Sequence, residues 1–194
     1  MINILFTSAG RRIELIQEFQ KAKKNKNIKG KIICADMNEL APALYFADKS
    51  YIIPPIKDLN YIKELKNICK KENISLIIPT IDTELEVLAN NINEFHSIGT
   101  DVLVSSPEII KITQDKMETF KFFNSLGFKT PESYDKNTEY NGQFPCFIKP
   151  ISGSSSVNAF KVNNKKELDF FKYYIGDYII QELIIGEEYT VDIF

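Results

Sequence analysis

Apolar residues in the first half of the chain fall into short runs, separated by longer stretches of helical periodicity. The runs that predict buried strands lie at residues 2–7, 31–35, 76–78 and 102–104. The stretches in which apolar residues recur at helical spacing lie at residues 13–19, 61–71 and 83–95. Strands that alternate with helices in this way predict a mostly parallel sheet with right-handed crossovers. We therefore expect a doubly wound, Rossmann-like α/β domain over residues 1–105.

The pattern changes after residue 105. A short helix is predicted from Pro107, and Asp115 is placed to cap a second helix that Gly127 ends. These two helices form a predicted connector over residues 106–130. The last part of the chain has apolar runs at residues 144–148, 157–162 and 178–182 and a helical pattern at 165–174. We expect a small α+β unit over residues 131–194.

Composition narrows the range of partners. The 194 residues are 44% hydrophobic and carry a formal net charge of -2, so the chain can bury a core and offers no basic surface for nucleic acid. The one dense basic run, residues 21–26, closes a predicted helix, where cations favour the helix dipole. No apolar stretch approaches the roughly 18 residues that a membrane helix requires. We expect neither a nucleic-acid nor a membrane partner.

The cysteines predict a reducing environment. Cys34, Cys69 and Cys146 are far apart, odd in number and without C-x-x-C spacing, which indicates neither a disulfide framework nor a zinc site. The first residues lead into an apolar run without the basic segment of a secretory signal. We therefore expect a cytoplasmic protein with reduced thiols. The oligomeric state is not fixed by the sequence, and a homo-oligomer stays open.

A lysine followed by a loop of small residues is the clearest chemical feature. Lys149 ends an apolar strand, and the loop after it contains Ser152, Gly153, Ser154, Ser155 and Ser156. A lysine supplies a point charge suited to phosphate, and free backbone N–H groups in such a loop can bind an anion. A hairpin loop with an exposed lysine is the alternative, and the residues alone leave both open. The patterns G-x-x-x-x-G-K-[ST] and G-x-G-x-x-G are absent.

A second candidate segment follows the predicted strand at 178–182. Backbone groups left unpaired at a strand end can bind the edge of an adenine ring, and a carboxylate such as Glu188 can accept hydrogen bonds from ribose hydroxyls. Solvated acids on a hairpin are the alternative for this segment.

The turn after the first predicted strand lies where doubly wound sheets bind ligands. Ser8, Gly10, Arg11 and Arg12 form this turn, and two arginines at a helix N-terminus can bind an anionic substrate. A glycine turn with solvated arginines explains the same residues equally well. Because the dinucleotide fingerprint is incomplete, we do not expect a dinucleotide here.

Two acids follow the strand at 76–78, at the same edge of the predicted sheet. Asp82 and Glu84 fall in the first turn of the next helix, where acids complement the dipole. Capping is the favoured role, and contact with substrate is the alternative.

These segments together, in their order and spacing, resemble the ATP-grasp superfamily. The motifs that carry the resemblance are Asp115-Lys116, Thr130-Pro131, Phe-Ile-Lys149-Pro with Ser-Gly153-Ser-Ser, and Gln-Glu182-Leu-Ile-Ile-Gly-Glu-Glu188. Among its members the chain is most similar to carbamoyl-phosphate synthase large-subunit-like proteins. That similarity rests on Phe6-Thr-Ser-Ala-Gly-Arg-Arg12, Ala41-Pro-Ala-Leu and Pro79-Thr-Ile-Asp-Thr-Glu-Leu85. It implies a Rossmann-like domain followed by the flap-bearing part of an ATP-grasp domain.

The resemblance implies a site for ATP. Lys116 and Lys149 correspond to two family lysines that contact nucleotide phosphates, and residues 152–156 correspond to a flexible flap that closes over them.

The second motif corresponds to the side of the site that holds the nucleoside. Glu182 and Leu183 match the hinge that binds adenine through its backbone, Ile185 matches an apolar neighbour of the base, and Glu188 matches the ribose-binding acid.

In proteins of this kind the γ-phosphate of ATP passes to a carboxylate or carbonate, and an amine or other nucleophile attacks the acyl phosphate. The implied cofactors are ATP and Mg²⁺, and the implied partner is a small carboxylate or carbonate-type substrate. The family's metal carboxylates lie further along the chain, so we expect them beyond residue 194 and none within it. The sequence ends inside an apolar pattern, from which we expect a truncated or split protein. The expected function is the ATP-binding portion of a carboxylate-activating ligase, and the alternative is a non-catalytic nucleotide-binding or partner-binding module completed in trans.

Overall fold

The computed structural model describes residues 1–153 and 156–191. The chain divides into two compact units, Met1–Ile110 and Lys111–Phe194, and each is described by itself. The predicted domain limits at residues 105 and 130 stay predictions. Ser154 and Ser155, which belong to the predicted flap, lie outside the described residues.

The first unit contains a five-stranded parallel sheet in the order β3-β2-β1-β4-β5. Its strands are β1 (Asn3–Thr7), β2 (Ile32–Asp36), β3 (Lys49–Ile52), β4 (Ile74–Pro79) and β5 (Asp101–Val102). Its helices are α1 (Ile13–Asn25), α2 (Tyr61–Glu72), α3 (Asp82–Asn90) and α4 (Ile92–His96), with a 3₁₀ turn at Pro42–Tyr45 and α5 (Pro107–Gln114) at the boundary of the unit. This arrangement confirms the predicted doubly wound fold.

Successive side chains of a strand point to opposite faces of the sheet. Helices cover both faces of this parallel sheet, so both sets of side chains are buried. On β1, Leu5 packs in one apolar cluster with residues of α2, α3 and α4, while Phe6 packs in a second cluster with Ile16 of α1. Helix α2 shows how the sequence selects its buried face, since Tyr61 and Leu65 are four residues apart and both are buried. Each layer therefore follows from the apolar periodicity of its element.

Two elements of the first unit differ from the prediction. Strand β3 was not predicted, because Lys49–Ile52 is short and lies at the edge of the sheet, where its residues are alternately half-buried and exposed. The single helix predicted at 83–95 is two helices that meet at Asn91. The Asn91 side-chain amide donates to the carbonyl of Val87 at 2.8 Å, which competes with continuation of the helix.

The second unit contains a four-stranded antiparallel sheet in the order β6-β9-β7-β8. Its elements are α6 (Lys116–Ser125), β6 (Ser133–Asp135), β7 (Cys146–Pro150), β8 (Phe160–Val162), α7 (Lys165–Ile175) and β9 (Tyr178–Glu182). Cys146, Ile148 and Ile180 cluster with Leu168 of α7, so α7 covers one face of the sheet. The predicted α+β unit is confirmed, although β7 begins two residues later than the prediction and β6 was missed.

Cys34, Cys69 and Cys146 are free and buried. Over residues 1–153 and 156–191, the structure contains no helix with the length and apolar character needed to cross a membrane.

Candidate functional site

Lys116 is positioned by a capped helix start. Asp115 is the N-cap of α6, and its Oδ1 accepts hydrogen bonds from the backbone N–H of Met117 at 2.8 Å and of Glu118 at 3.0 Å. Lys116 is therefore the first helical residue. Its backbone N–H donates to the carbonyl of Ile151 at 3.0 Å. Its Nζ donates to the carbonyl of Gly153 at 3.0 Å, so this lysine lies against the start of the Gly/Ser loop.

Lys149 lies on the face of the antiparallel sheet that α7 does not cover. Ile148 packs with α7, and the alternation of strand side chains puts its neighbour Lys149 on the other face. The Lys149 side chain is half-buried, and its ammonium group forms no hydrogen bond or ion pair with the residues that the structure describes. A half-buried cation without a counter-charge is a natural point of attachment for an anion.

Both lysines have a lowered pKa. Burial lowers the pKa of Lys149 below its ordinary value, and the positive charge of Lys116 lowers it further. Burial also lowers the pKa of Lys116, against the opposing effect of the Asp115 carboxylate. Two ammonium groups that are partly desolvated and repel each other would both be stabilised by a polyphosphate between them.

Among the described residues between β7 and β8, three have left-handed backbone: Gly153 at a φ of 101°, Ser156 at 55° and Asn158 at 56°. Ser152, Gly153 and Ser156 are all exposed. Their predicted role as a phosphate flap stays a prediction.

Glu182, the last residue of β9, forms two hydrogen bonds with Glu132, the residue before β6. Its backbone N–H donates to the carbonyl of Glu132 at 3.1 Å, and its Oε1 accepts from the backbone N–H of Glu132 at 3.1 Å. The Glu182 N–H and one carboxylate oxygen are thus engaged within the protein. The remaining members of the predicted hinge, Leu183 half-buried and Ile185 and Glu188 exposed, follow directly in the chain. Their contacts with a nucleotide stay predictions.

A cleft of about 370 Å³ beside this hinge does not contain the lysines. Leu183 and Ile185 line it together with Tyr134 and Tyr140. Tyr134 is paired with Ile180 and therefore lies on the face that α7 covers, opposite to Lys149. Since phosphate binding needs the lysines, we assign the phosphate-binding part of the candidate site to the Lys149 face, whereas this cleft adjoins only the predicted hinge.

The strand register identifies site residues that sequence analysis missed. Phe147 shares the face of Lys149, Gln181 is paired with Phe147, and Ile179 is paired with Lys149. Gln181 Nε2 donates to Ser133 Oγ at 2.7 Å, which fixes the carboxamide. Phe147 is half-buried and offers an apolar surface beside the lysine, whereas Ile179 is completely buried. Alternation of side chains along β7 places Phe147 on the same face as Lys149. Gln181 and Ile179 could be identified only once β9 was known to be the partner strand.

We expect Asp115→Ala to lower the free energy of unfolding by about 1 kcal/mol, because two N–H groups of α6 lose their acceptor. Asp115→Asn, whose amide oxygen also caps helices, should retain most of the wild-type stability. Urea unfolding of the two variants measures the difference. If Asp115→Ala were as stable as the wild type, the cap would not hold Lys116 in place.

In the first unit, the predicted substrate turn is anchored by the carboxyl ends of three strands. Ser8 and Gly10 have left-handed backbone, with φ values of 50° and 49°. The Gly10 N–H donates to Asp36 Oδ2 at 2.8 Å, and Thr80 Oγ1 donates to the carbonyl of Ser8 at 2.6 Å. Asp36 and Thr80 were not predicted, because their role depends on strands that are far apart in sequence.

Arg11 and Arg12 are exposed at the start of α1. Arg12 is the N-cap position and makes no side-chain capping bond. Both arginines therefore extend from the turn and are placed where the sequence predicts an anionic substrate; contact with that substrate stays a prediction.

The favoured capping role is wrong for Glu84. The N-cap of α3 is Ile81, and no side chain caps this helix. Asp82 is exposed in the first turn as expected, whereas Glu84 is completely buried and accepts a hydrogen bond from the Tyr61 hydroxyl. Glu84 lies on the inner side of α3, so its carboxyl group faces the sheet instead of the helix end.

The metal expectation can be compared with the donor groups present. Over residues 1–153 and 156–191, no cluster of three or more His, Cys, Asp or Glu side chains is arranged to hold a metal ion. The expectation that the Mg²⁺ ligands lie beyond residue 194 stays a prediction.

Two family models cover this chain. Residues 4–103 match the PylC-like N-terminal domain, and residues 113–194 match the ATP-grasp domain. The chain belongs to the ATP-grasp proteins that carry a PylC-like N-terminal domain. The superfamily indicated by the lysine and hinge motifs is thereby confirmed.

Curated relatives include ligases of amino acids. D-alanine–D-alanine ligase from Fusobacterium nucleatum is 40% identical over 95 residues, 49% of this chain and 31% of that protein. 3-methyl-D-ornithine–L-lysine ligase from Methanosarcina acetivorans is 26% identical over 178 residues, 92% of this chain and 45% of that protein. The chain spans less than half the length of either relative.

The fold is shared with solved enzymes of the same superfamily. N5-carboxyaminoimidazole synthetase from Staphylococcus aureus, solved with ADP, has a TM-score of 0.67 and 14% identity, covering 94% of this chain and 48% of that one. At this level of identity the likeness shows the fold alone.

Proposed function

We propose that this chain is the ATP-binding front portion of a ligase that activates a carboxylate as an acyl phosphate and joins it to an amine. The observation that carries the proposal is the pair of Lys116 and Lys149. Both ammonium groups have a lowered pKa because of burial, and the charge of Lys116 further lowers the pKa of Lys149. A polyphosphate would neutralise both charges at once.

The two lysines would hold the phosphates from different elements. Lys149 reaches out from the face of β7, and Lys116 from the first turn of α6, whose dipole also favours negative charge. Gly153, in the segment that follows Lys149, accepts a hydrogen bond from Lys116 Nζ at 3.0 Å. Closure of the predicted flap, residues 152–156, over the phosphates would exclude water and strengthen the lysine contacts.

The proposed adenosine contacts combine Phe147 on the Lys149 face with the segment that follows β9. Phe147 supplies an apolar surface two residues from Lys149, which suits a base ring next to the phosphates. The Glu182 carboxylate is bound to Glu132, so the backbone beyond it, from Leu183 to Ile185, is proposed to bind the adenine edge. The exposed Glu188 is the proposed acceptor for ribose hydroxyls.

In the first unit, the turn at Ser8–Arg12 is the proposed contact for the carboxylate substrate. The exposed Arg11 and Arg12 supply positive charge, and α1 begins directly after them. The exposed Asp82 at the same edge of the sheet is the proposed contact for an amine. Amino acids, which carry both groups, fit this edge best.

When bound with ATP, Mg²⁺ would supply positive charge that offsets the charge of the phosphates. The role proposed for Lys116, Lys149 and the segment after β9 is to bind and orient the nucleotide. The narrower assignment to carbamoyl-phosphate synthase-like chemistry, with carbonate as the acceptor, is one form of the same proposal.

The test is formation of ADP by the complete gene product that contains this chain. Mg·ATP would be supplied with a panel of amino-acid pairs, and separately with bicarbonate and an ammonia donor, and products would be identified by mass spectrometry. We expect ADP and an amide from at least one amino-acid pair. ADP only with bicarbonate would support carbamoyl-phosphate synthase-like chemistry. Nucleotide binding without ADP from any acceptor would contradict the ligase and leave a non-catalytic nucleotide-binding module.

A further inference from the structure

Among the described residues, Glu84 is a buried ionisable group without a neighbouring cation. Its side chain is 0% exposed, on the first turn of α3. Tyr61 of α2 donates its hydroxyl proton to Glu84 Oε1. The hydroxyl groups of Thr7 and Ser8 at the end of β1 and the carboxylate of Asp36 at the end of β2 are the other groups that act on it. None of these neighbours is positively charged.

Two buried oxygen atoms in this cluster lack a hydrogen-bond partner among the described residues, Glu84 Oε2 and Thr7 Oγ1. The Thr7 side chain lies close enough to act on the Glu84 carboxyl group. One hydrogen bond between the two groups would pair both atoms. In one arrangement the Thr7 hydroxyl donates to an ionised Glu84 carboxylate, and in the other a neutral Glu84 carboxylic acid donates to Thr7 Oγ1.

The charges around Glu84 decide between these arrangements. Burial raises the pKa of Glu84, and the nearby Asp36 carboxylate raises it further, against the lowering effect of the Tyr61, Thr7 and Ser8 hydroxyl groups. Asp36 accepts the backbone N–H groups of Gly10 and Asn38, so donors already occupy both of its oxygen atoms. An ionised Glu84 with no exposed surface, and with Oε2 unpaired among the described residues, would be costly, so the geometry favours a proton on Glu84.

We propose that Glu84 is a neutral carboxylic acid in the folded protein, and that its proton completes the hydrogen-bond network behind the Ser8–Gly10 turn. Ser8 has left-handed backbone, a conformation that a residue other than glycine keeps only when its surroundings hold it. Glu84 is thus a positioning residue that acts through Thr7 and Ser8. Its relevance to acceptor binding rests on the proposed function, whereas its protonation does not.

The proposal predicts how stability depends on pH. The folded state keeps the Glu84 proton above the ordinary pKa of 4.5, where the unfolded chain has lost it, so stability falls as the pH rises above 4.5 towards the folded-state pKa. Glu84→Gln has the shape of the neutral acid and no proton to lose. In that range, the unfolding equilibrium constant of the wild type should rise about tenfold per pH unit relative to Glu84→Gln. A ratio that stays flat above pH 4.5 would contradict the proposal.

Glu86→Gln is the matched control, because Glu86 is exposed on the same helix and its change should leave the pH profile of the wild type unaltered. A second measurement does not depend on Glu84→Gln being able to fold. Infrared spectra of the wild type at pH 7 should contain a carboxylic-acid carbonyl band that shifts in Tyr61→Phe, which removes the hydrogen bond to that group. Absence of the band would overturn the proposal.

Hydrogen exchange of the Gly10 backbone amide tests the positioning role. At pH 7 we expect the protection factor of this amide to stay unchanged in Glu84→Gln and to fall about tenfold in Glu84→Ala. Equal protection in both variants would show that the proton does not hold the turn. None of these measurements uses ligase activity, so their failure is distinguishable from failure of the proposed function.

Discussion

Replacing Lys149 by methionine should weaken the binding of Mg·ATP by about 10-fold to 100-fold, because one charge-assisted hydrogen bond contributes about 1.5–3 kcal/mol. Lys116→Met should have an effect of the same size, and the two together should abolish measurable binding. Methionine keeps the apolar stem, so the surrounding packing changes little. Isothermal titration of the purified chain measures both affinities.

The control for these variants is Lys166→Met, an exposed lysine on α7 that lies away from the candidate site. It should bind Mg·ATP as the wild type does. A uniform loss in all three variants would mean that only the net charge of the chain matters. Unchanged affinity in Lys149→Met alone would move the phosphate site away from β7.

Gly30→Ala should destabilise the first unit by about 3–5 kcal/mol, the largest stability effect that we expect from a single methyl group. A Cβ at Gly30 would lie 1.8 Å from the carbonyl oxygen of Ile2, which is backbone and cannot rotate away. The Ile2 N–H is bound to the carbonyl of Lys29 at 2.8 Å, so the clash would separate the two segments that lead into β1 and β2. Urea unfolding followed by circular dichroism measures the loss.

Gly99→Ala distinguishes the clash from the cost of the backbone conformation. Gly99 also has a positive φ, 78°, but a Cβ there would meet nothing within 4 Å. It should lower stability by only about 1 kcal/mol. Equal losses at both positions would show that the approach of Ile2 to Gly30 does not limit the fold.

The parallel strands were predictable wherever a strand is a continuous run of apolar residues. The runs that became β1, β2 and β4 are apolar on both faces, which is the pattern of a covered parallel sheet. Strand β3 was missed because Lys49–Ile52 is an edge strand that is covered less and contains polar residues. Helix α3 was extended too far because the break depends on a side-chain bond of Asn91.

The candidate site was predictable to the extent that it depends on residue type. Lys149 stood out as a cation next to a loop of small residues, whereas Lys116 was identified only through the family resemblance. Phe147 and Gln181 have no such signal, because their place on the Lys149 face follows from the register between β7 and β9.

Glu84 illustrates the limit of local interpretation. An acid in the first turn of a helix is usually interpreted as a partner of the helix dipole. The buried carboxyl group of Glu84 instead accepts a hydrogen bond from Tyr61, which lies 23 residues away. Its orientation depends on how α3 packs on the sheet, which no local pattern contains. The same holds for Asp36, whose bond to Gly10 joins the ends of two strands.

The central claim is that Lys116 and Lys149 hold the phosphates of ATP. Thermal unfolding of the wild-type chain and of Lys149→Met, each with Mg·ATP, tripolyphosphate or adenosine, tests it most directly. Mg·ATP at 100 times its Kd should raise the wild-type Tm by about 5–10 °C, tripolyphosphate should raise it less, and adenosine should have little effect. Lys149→Met should lose most of the response to both phosphate compounds. An equal rise in the wild type and Lys149→Met, or a rise with adenosine alone, would contradict phosphate binding by these lysines.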